Sequence, residues 1–194
     1  MGSVPKDKKL IRAPEELVAK LSEAASWQGK SFYRFISEIL EQAVRSNEMK
    51  RSLKEIIDRY ELMEVHREAG STFTPGDALD FLVGCARDVD NDSLQRMWNE
   101  TGRWYGMFLR ERFEDPFEAF VRLLGDGLWG VKDVDVRPDG GNIALRCVST
   151  MMPQERTILM ERFIEGAMHS LGYVTVDKDS FRGIIALKFS DSDD

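Results

Sequence analysis

Apolar residues near the N-terminus recur at intervals of three and four, the spacing of one face of an α-helix. A first stripe predicts a helix from Pro14 to about Trp27, because proline suits the first helical position and Gly29 follows as a stop. Ser31 is a favourable N-cap for a second helix. The apolar stripe of that helix comprises Phe32, Phe35, Ile36, Ile39, Leu40 and Ala43. Two short amphipathic helices joined by a Gly-Lys-Ser turn are therefore predicted.

The residues before the first helix alternate instead of following a helical period. Lys8, Leu10 and Arg12 share one face of a predicted strand, and Pro14 ends it. One strand and two short helices cannot bury an adequate core alone. We therefore expect this N-terminal domain, residues 1–48, to pair with a second copy through antiparallel strands.

This segment, from Lys8 to about Asn47, resembles the ribbon-helix-helix family of DNA-binding proteins. The resemblance rests on the basic alternating strand, "APEEL" at the start of the first helix, "GKS" between the helices and "FISEIL" in the second. It implies an intertwined dimer whose two-stranded ribbon enters the major groove of duplex DNA.

The resemblance also implies which residues would contact DNA. The base-reading side chains would be Lys8, Leu10 and Arg12. A phosphate would lie at the start of the second helix, on the amides near Lys30, Ser31 and Phe32. The alternative is that the domain only dimerises the chain.

A heptad pattern follows the second helix. Met49, Leu53, Ile56, Tyr60 and Met63 are spaced by four and three residues in turn. The pattern predicts a helical connector, residues 49–71, whose helix reaches about Glu68. Its apolar seam would face either the same helix of a second copy or the chain's own C-terminal domain.

Helical patterns continue beyond the connector. A helix is predicted to begin at Thr74-Pro75, and the Asp-rich stretch 87–92 is predicted to end it in a solvated loop. A longer helix is predicted from Ser93 to Phe113. Its Gly102 and Gly106 stand four residues apart, a spacing that either lets another helix approach closely or is merely tolerated.

The hydrophobic period changes to two after a third short helix capped by Asp115-Pro116. Residues 128–137 predict a strand, "PDGG" at Pro138–Gly141 a turn, and "NIALRCVS" the returning strand. A helix from about Pro153 to Leu171 precedes a second hairpin, with its turn at Asp177–Ser180. We expect an α+β domain, residues 72–194, with an antiparallel sheet covered by helices on one face.

This order of elements resembles the 4-vinyl reductase small-ligand-binding domain, a relative of TRAPP-type trafficking subunits and of haem nitric-oxide sensors. The resemblance covers about Thr72 to Phe189, and "LQRMWNETGRWYGMFLRERF" and "MERFIEGAMHSLGYVTV" carry it. It implies a domain that binds a small molecule. Many members of that family have a cysteine cluster between the last two strands, and "VDKDSFRGI" has none here.

Charge is distributed unevenly along the 194 residues. The formal net charge is −7, yet Met1 to Tyr60 hold twelve Lys and Arg against nine Asp and Glu, a net of +3. The remainder therefore carries −10, which makes the N-terminal domain the candidate for contact with DNA. No apolar run suits a membrane span or a signal peptide, and Cys85 and Cys147 are far apart, so we expect a cytoplasmic protein with no membrane partner, metal or disulfide.

Motifs for catalysis are missing, so the sequence predicts a protein that is not an enzyme and uses no cofactor. Four aromatic residues instead suggest either a packed core or a pocket for an apolar small molecule: Trp98, Tyr105 and Phe108 on one face of a helix, and Trp129 at the start of a strand expected to cross it. We expect a homodimeric DNA-binding regulator of transcription with a ligand-sensing or assembly domain. The alternative is a non-enzymatic scaffold dimerised through its N-terminal domain.

Overall fold

The computed structural model describes residues 11–139 and 141–192. They form two compact units, unit 1 (Met1–Asp58) and unit 2 (Arg59–Asp194). Helices and strands are both present, as predicted for an α+β protein: α1 Glu15–Trp27, α2 Phe32–Glu48, α3 Leu53–Glu68, α4 Gly76–Arg112, α5 Pro116–Gly125, β1 Asp133–Asp139, β2 Asn142–Val148, α6 Gln154–Ser170, β3 Tyr173–Phe181 and β4 Ile184–Asp191. Within the described ranges, no helix is long and apolar enough to cross a membrane.

Unit 1 contains α1, α2 and the first turns of α3. Ser31 caps α2 as predicted, because its side-chain oxygen accepts a hydrogen bond from the backbone N–H of Arg34. The predicted strand begins at Lys8, and Lys8 to Leu10 lie outside the described residues. Ile11 to Pro14 have no regular secondary structure. The ribbon therefore stays a prediction.

The predicted helical connector is interrupted where the heptad pattern starts. Met49 follows the end of α2, and Lys50 has a φ of 56°, a left-handed conformation that ends a helix. Ser52 then starts α3, because its hydroxyl accepts from the Glu55 N–H while the Glu55 carboxylate accepts from the Ser52 N–H. The apolar seam of this helix thus begins at Leu53, not at Met49.

The predicted loop at residues 87–92 is wrong, because these residues lie within α4. Only Asp90 departs from helical geometry, with φ −158° and ψ 90°. Its carboxylate accepts from the Ser93 N–H at 2.9 Å and so caps the second half of the helix. The acidic stretch is therefore a kink in one long element.

The sheet is antiparallel throughout, in the order β1-β2-β4-β3, and α5 and α6 contact it. Pro138 and Asp139 pair with β2, so β1 runs into the predicted turn and begins only at Asp133. The second hairpin turns at Arg182-Gly183, where Gly183 has a φ of 75°, and not at Asp177–Ser180. The prediction failed there because polar residues on the outer side of β3 look like turn residues in sequence.

α4 and α6 pack at very short range through glycines. A Cβ added to Gly102 would lie 2.0 Å from the backbone oxygen of Phe163, and one added to Gly166 would lie 2.0 Å from that of Asn99. Gly106 meets the backbone of Ala167 in the same way. Of the two possibilities left open by the spacing of Gly102 and Gly106, the close approach of another helix is the one observed.

The core of unit 2 lies between these helices and the inner face of the sheet. Side chains from α4, α5, α6 and alternate positions of β2 and β4 form one continuous cluster. The most deeply buried include Leu109, Phe120, Ile164, Leu187 and Phe189. This core holds α4 and α6 in fixed positions beside the cavity described next.

Candidate functional site

A cavity of about 550 Å³ opens within unit 2. Its walls come from residues 69–74 between α3 and α4, from α4, from residues 127–130 before β1, and from α6. Pockets of about 300 to 1,000 Å³ are typical of small-molecule sites. The volume is therefore sufficient for a ligand of one to three rings.

Aromatic rings form the inner wall of the cavity. Trp129 stands edge-on to Tyr105 and to Phe163, with ring centroids 5.2 and 4.9 Å apart. Tyr105 and Phe163 are also edge-on, at 5.5 Å. Edge-on contacts are a favoured geometry for aromatic pairs, so the three rings pack on one another and make this wall largely apolar.

Three of the four predicted ligand-binding residues line this cavity: Trp98, Tyr105 and Trp129. Phe108 does not line it, because it stacks on Trp104 at 5.6 Å. Trp129 packs across α4 as expected. It belongs to the turn before β1 and does not begin the strand, which is a correction to the predicted hairpin.

A buried chain of polar side chains lies behind the aromatic wall. His66, near the end of α3, places Nε2 2.7 Å from Oδ2 of Asp126 and Nδ1 2.8 Å from the hydroxyl of Tyr105. The side chains of His66 and Asp126 are only 3% and 2% exposed. Asp126 Oδ1 also accepts from the Leu128 N–H at 2.7 Å. Each partner thus satisfies a group that would be costly to bury alone.

Tyr105 connects this chain to the cavity. Burial raises the pKa of its phenol well above the ordinary value, and the negative charge of Asp126 raises it further, whereas a hydrogen bond with the Ser71 side chain lowers it. The phenol is therefore protonated at neutral pH. Ser71 lines the same cavity.

Sequence patterns did not reveal the roles of His66 and Asp126. Histidine at position 66 follows Val65 on an amphipathic helix, a weak sign of burial. Its partner lies 60 residues further along the chain, after α5. Only the packing of α3 against α4 and the 126–130 turn brings the two together.

One cationic side chain also borders the cavity. Arg156 of α6 lines it, and its Nη1 lies 3.0 Å from Oδ1 of Asp80 on α4. The Arg156 side chain is 11% exposed. Its charge is thus balanced within unit 2.

A second depression in unit 2, of about 470 Å³, runs beside α4 and α6 and differs in character. All of its lining residues are polar or charged, and they include Arg96, Arg103 and Arg162. Its surface is more polar than apolar, whereas that of the aromatic-walled cavity is mainly apolar. The aromatic-walled cavity is the stronger candidate site.

The predicted DNA-binding residues lie in unit 1. Lys8 and Leu10 fall outside the described residues, and Arg12 is exposed. Ser31 caps α2, and Phe32 at its first position is 41% exposed. The Lys30 ammonium is held 2.5 Å from the Glu38 carboxylate.

Glu38 also accepts from Nε of Arg34 at 3.1 Å. The hydrogen bond from Lys30 is the main cause that holds the pKa of Glu38 below its usual value. The positive charge of Lys30 is therefore partly neutralised at the start of α2.

Metal ligands are not clustered in the described part of the chain, where no group of three or more His, Cys, Asp or Glu residues could hold an ion. Cys85 is exposed and Cys147 is buried, and both are free thiols. Comparisons with family models, with curated proteins and with solved structures found no match. The ribbon-helix-helix and 4-vinyl reductase resemblances therefore stay predictions.

Proposed function

We propose that this chain is a homodimeric DNA-binding regulator of transcription, in the cytoplasm, whose unit 2 binds an apolar small molecule in the aromatic-walled cavity. The cavity carries the proposal. Its volume of about 550 Å³ lies in the range of small-molecule sites, and Tyr105, Trp129 and Phe163 give it an apolar wall. A bound apolar ligand would cover that surface.

Contact between unit 1 and DNA is proposed from its sequence and its exposed residues. Arg12 is exposed, and the residues before it are basic. Because Lys30 is paired with Glu38, a phosphate at the start of α2 would be bound mainly by backbone amides and less by the lysine charge. The ribbon residues Lys8, Leu10 and Arg12 would read the bases.

Dimerisation is proposed from the exposed apolar surface of unit 1. Within its described residues only Ala25, Phe35 and Ser46 are buried. Leu40 and Val44 lie one turn apart on α2 and are 45% and 62% exposed. A unit this small needs more buried surface to be stable, and a second copy would supply it.

A scaffold that dimerises through unit 1 is the second candidate function. The partly neutralised charge of Lys30 and the exposed apolar face of α2 favour protein contact over DNA contact. A salt series separates the two. Binding of the full chain to its preferred duplex must weaken steeply between 50 and 200 mM salt if unit 1 neutralises several phosphates. If the full chain binds no DNA even at low salt, the scaffold is the candidate function that remains.

Occupancy of the cavity can be tested with two tryptophan substitutions on α4. Thr101 lines the cavity, so Thr101→Trp should fill it. Met107 is 52% exposed and does not line the cavity, so Met107→Trp is a matched control. Naphthalene should raise the melting temperature of the wild type and of Met107→Trp but not of Thr101→Trp. An equal effect on all three would mean that the ligand binds elsewhere.

The dimer can be tested on α2. Leu40→Glu combined with Val44→Glu should give a monomer in sedimentation velocity, because two charges would be buried at the proposed interface. Gln42→Glu, an exposed position on the same helix, should remain a dimer. A wild-type chain that sediments as a monomer at micromolar concentration would contradict the proposal.

A further inference from the structure

With Asp126 ionised and His66 neutral, the hydrogen bonds of the polar chain behind the aromatic wall all run in one direction. An ionised carboxylate only accepts hydrogen bonds. Because Asp126 Oδ2 lies 2.7 Å from His66 Nε2, that nitrogen must carry a proton. In a neutral imidazole the other nitrogen is then an acceptor.

Tyr105 continues this series of hydrogen bonds. Its hydroxyl lies 2.8 Å from Nδ1 of His66, so the phenolic proton is donated to the imidazole. The oxygen of Tyr105 is left with lone pairs only. Ser71 lines the cavity beside Tyr105, and its hydroxyl can donate its own proton to that oxygen. In that arrangement both oxygens offer only lone pairs to a ligand.

We propose that Asp126, His66 and Tyr105 make the cavity selective for an aromatic ligand with a hydroxyl group, such as a phenol, over the corresponding ether, ketone or carboxylate. A phenol can donate its proton to the Tyr105 oxygen. An ether or ketone oxygen has no proton to donate, so its lone pairs would face the lone pairs of the Tyr105 oxygen. The inference rests on the proposed binding function of unit 2 and adds the chemistry of the ligand's polar group.

Nearby charges favour a neutral donor in the same way. The negative charge of Asp126 lies behind Tyr105, and Nη2 of Arg59 donates to the Asp126 backbone oxygen, not to its carboxylate, at 2.7 Å. Arg156 lines the cavity but is paired with Asp80. A carboxylate ligand would have to compete with Asp80 for Arg156.

The burial of Asp126, His66 and Tyr105 strengthens the proposed selectivity. Tyr105 and His66 are each 2% exposed, so little water can reach the Tyr105 oxygen once a ligand occupies the cavity. A group that leaves these oxygens unpaired loses hydrogen bonds that it had in water. Discrimination should therefore exceed that of an exposed hydroxyl pair.

The test uses four compounds of one shape with the full-length chain at pH 8: naphthalene, 2-naphthol, 2-methoxynaphthalene and 2-naphthoate. Calorimetric titration should show 2-naphthol binding about tenfold more tightly than its methyl ether, the effect of about one net hydrogen bond. Naphthoate should bind no better than the ether.

Two variants locate the selectivity. Tyr105→Phe should reduce the preference for naphthol over its ether to less than about threefold while naphthalene still binds. Ser71→Ala keeps the Tyr105 oxygen and should keep the preference. Because the wild-type comparison needs no variant, the inference can be decided even if Tyr105→Phe does not fold.

The outcomes are distinct. Equal or tighter binding of the ether or of naphthoate by the wild type would overturn the selectivity and leave the binding function standing. If Tyr105→Phe kept the full preference for 2-naphthol over its ether, the selectivity could not be assigned to Asp126, His66 and Tyr105. If none of the four compounds binds, the proposed binding function fails, and this inference fails with it.

Discussion

Gly102→Ala should destabilise unit 2 although alanine is the better helix former. The added Cβ would lie 2.0 Å from the oxygen and 2.8 Å from the carbon of the Phe163 carbonyl. Non-bonded carbon atoms are most stable about 3.5 to 4 Å apart. Since the obstacle is backbone, α6 must move away from α4 by roughly 1 Å or more.

The magnitude follows from two opposing effects. Overpacking costs about 1 to 3 kcal/mol and sometimes more, and a backbone obstacle places this site at the upper end. Alanine regains about 1 kcal/mol of helix propensity. We expect a net loss of about 2 kcal/mol in the free energy of unfolding. Gly166→Ala should lose a similar amount, because its Cβ meets the Asn99 carbonyl oxygen.

Gly84 provides the matched control on the same helix. A Cβ there would meet nothing within 4 Å, so Gly84→Ala should gain about 0.5 to 1 kcal/mol. Urea unfolding followed by tryptophan fluorescence measures all three variants, since three of the four tryptophans lie in unit 2. If Gly102→Ala is as stable as Gly84→Ala, the described packing of α4 on α6 is incorrect.

Three further predictions concern buried groups and a helix cap. His66→Ala should lower the free energy of unfolding by about 3 kcal/mol in urea titration, because it leaves the Asp126 carboxylate buried without its partner, and His66→Gln, which keeps a donor, should cost less. With Ellman's reagent at pH 8 the folded chain should show one reactive thiol, exposed Cys85, because burial, followed by the charge of Asp133, raises the pKa of Cys147 to about 12; two fast-reacting thiols would contradict its burial. Asp115→Ala removes the N-cap of α5 and should lower the melting temperature through a loss of about 1 kcal/mol, and an unchanged melting temperature would contradict the cap.

Local signals in the sequence were sufficient for most helices. Ser31 and Asp115 mark helix starts because a short polar side chain can accept from a free N–H of the first turn, and both do so in the structure. The spacing of Gly102 and Gly106 indicated a close helix contact, although α6 could not be identified as the partner from sequence. Caps and glycine spacings act within one turn, which is why they can be read directly.

Features that depend on distant residues could not be predicted. β3 continues through polar Asp177 and Asp179 because both lie on the outer face of the sheet, and their cross-strand partners are Lys188 and Ala186. His66 meets Asp126 only because α3, α4 and the 126–130 turn, which are separate in the sequence, pack together. From the sequence, the aromatic residues indicated either a packed core or a ligand pocket, and the sequence alone could not decide between them.

A crystal structure of the chain with 2-bromonaphthalene tests the central claim most directly, because anomalous scattering locates bromine independently of the ring. We predict one strong bromine peak inside the cavity of unit 2, with the naphthalene ring against Trp98, Trp129 and Phe163. A bromine peak elsewhere on the chain, or an empty cavity in crystals grown at saturating ligand, would contradict it.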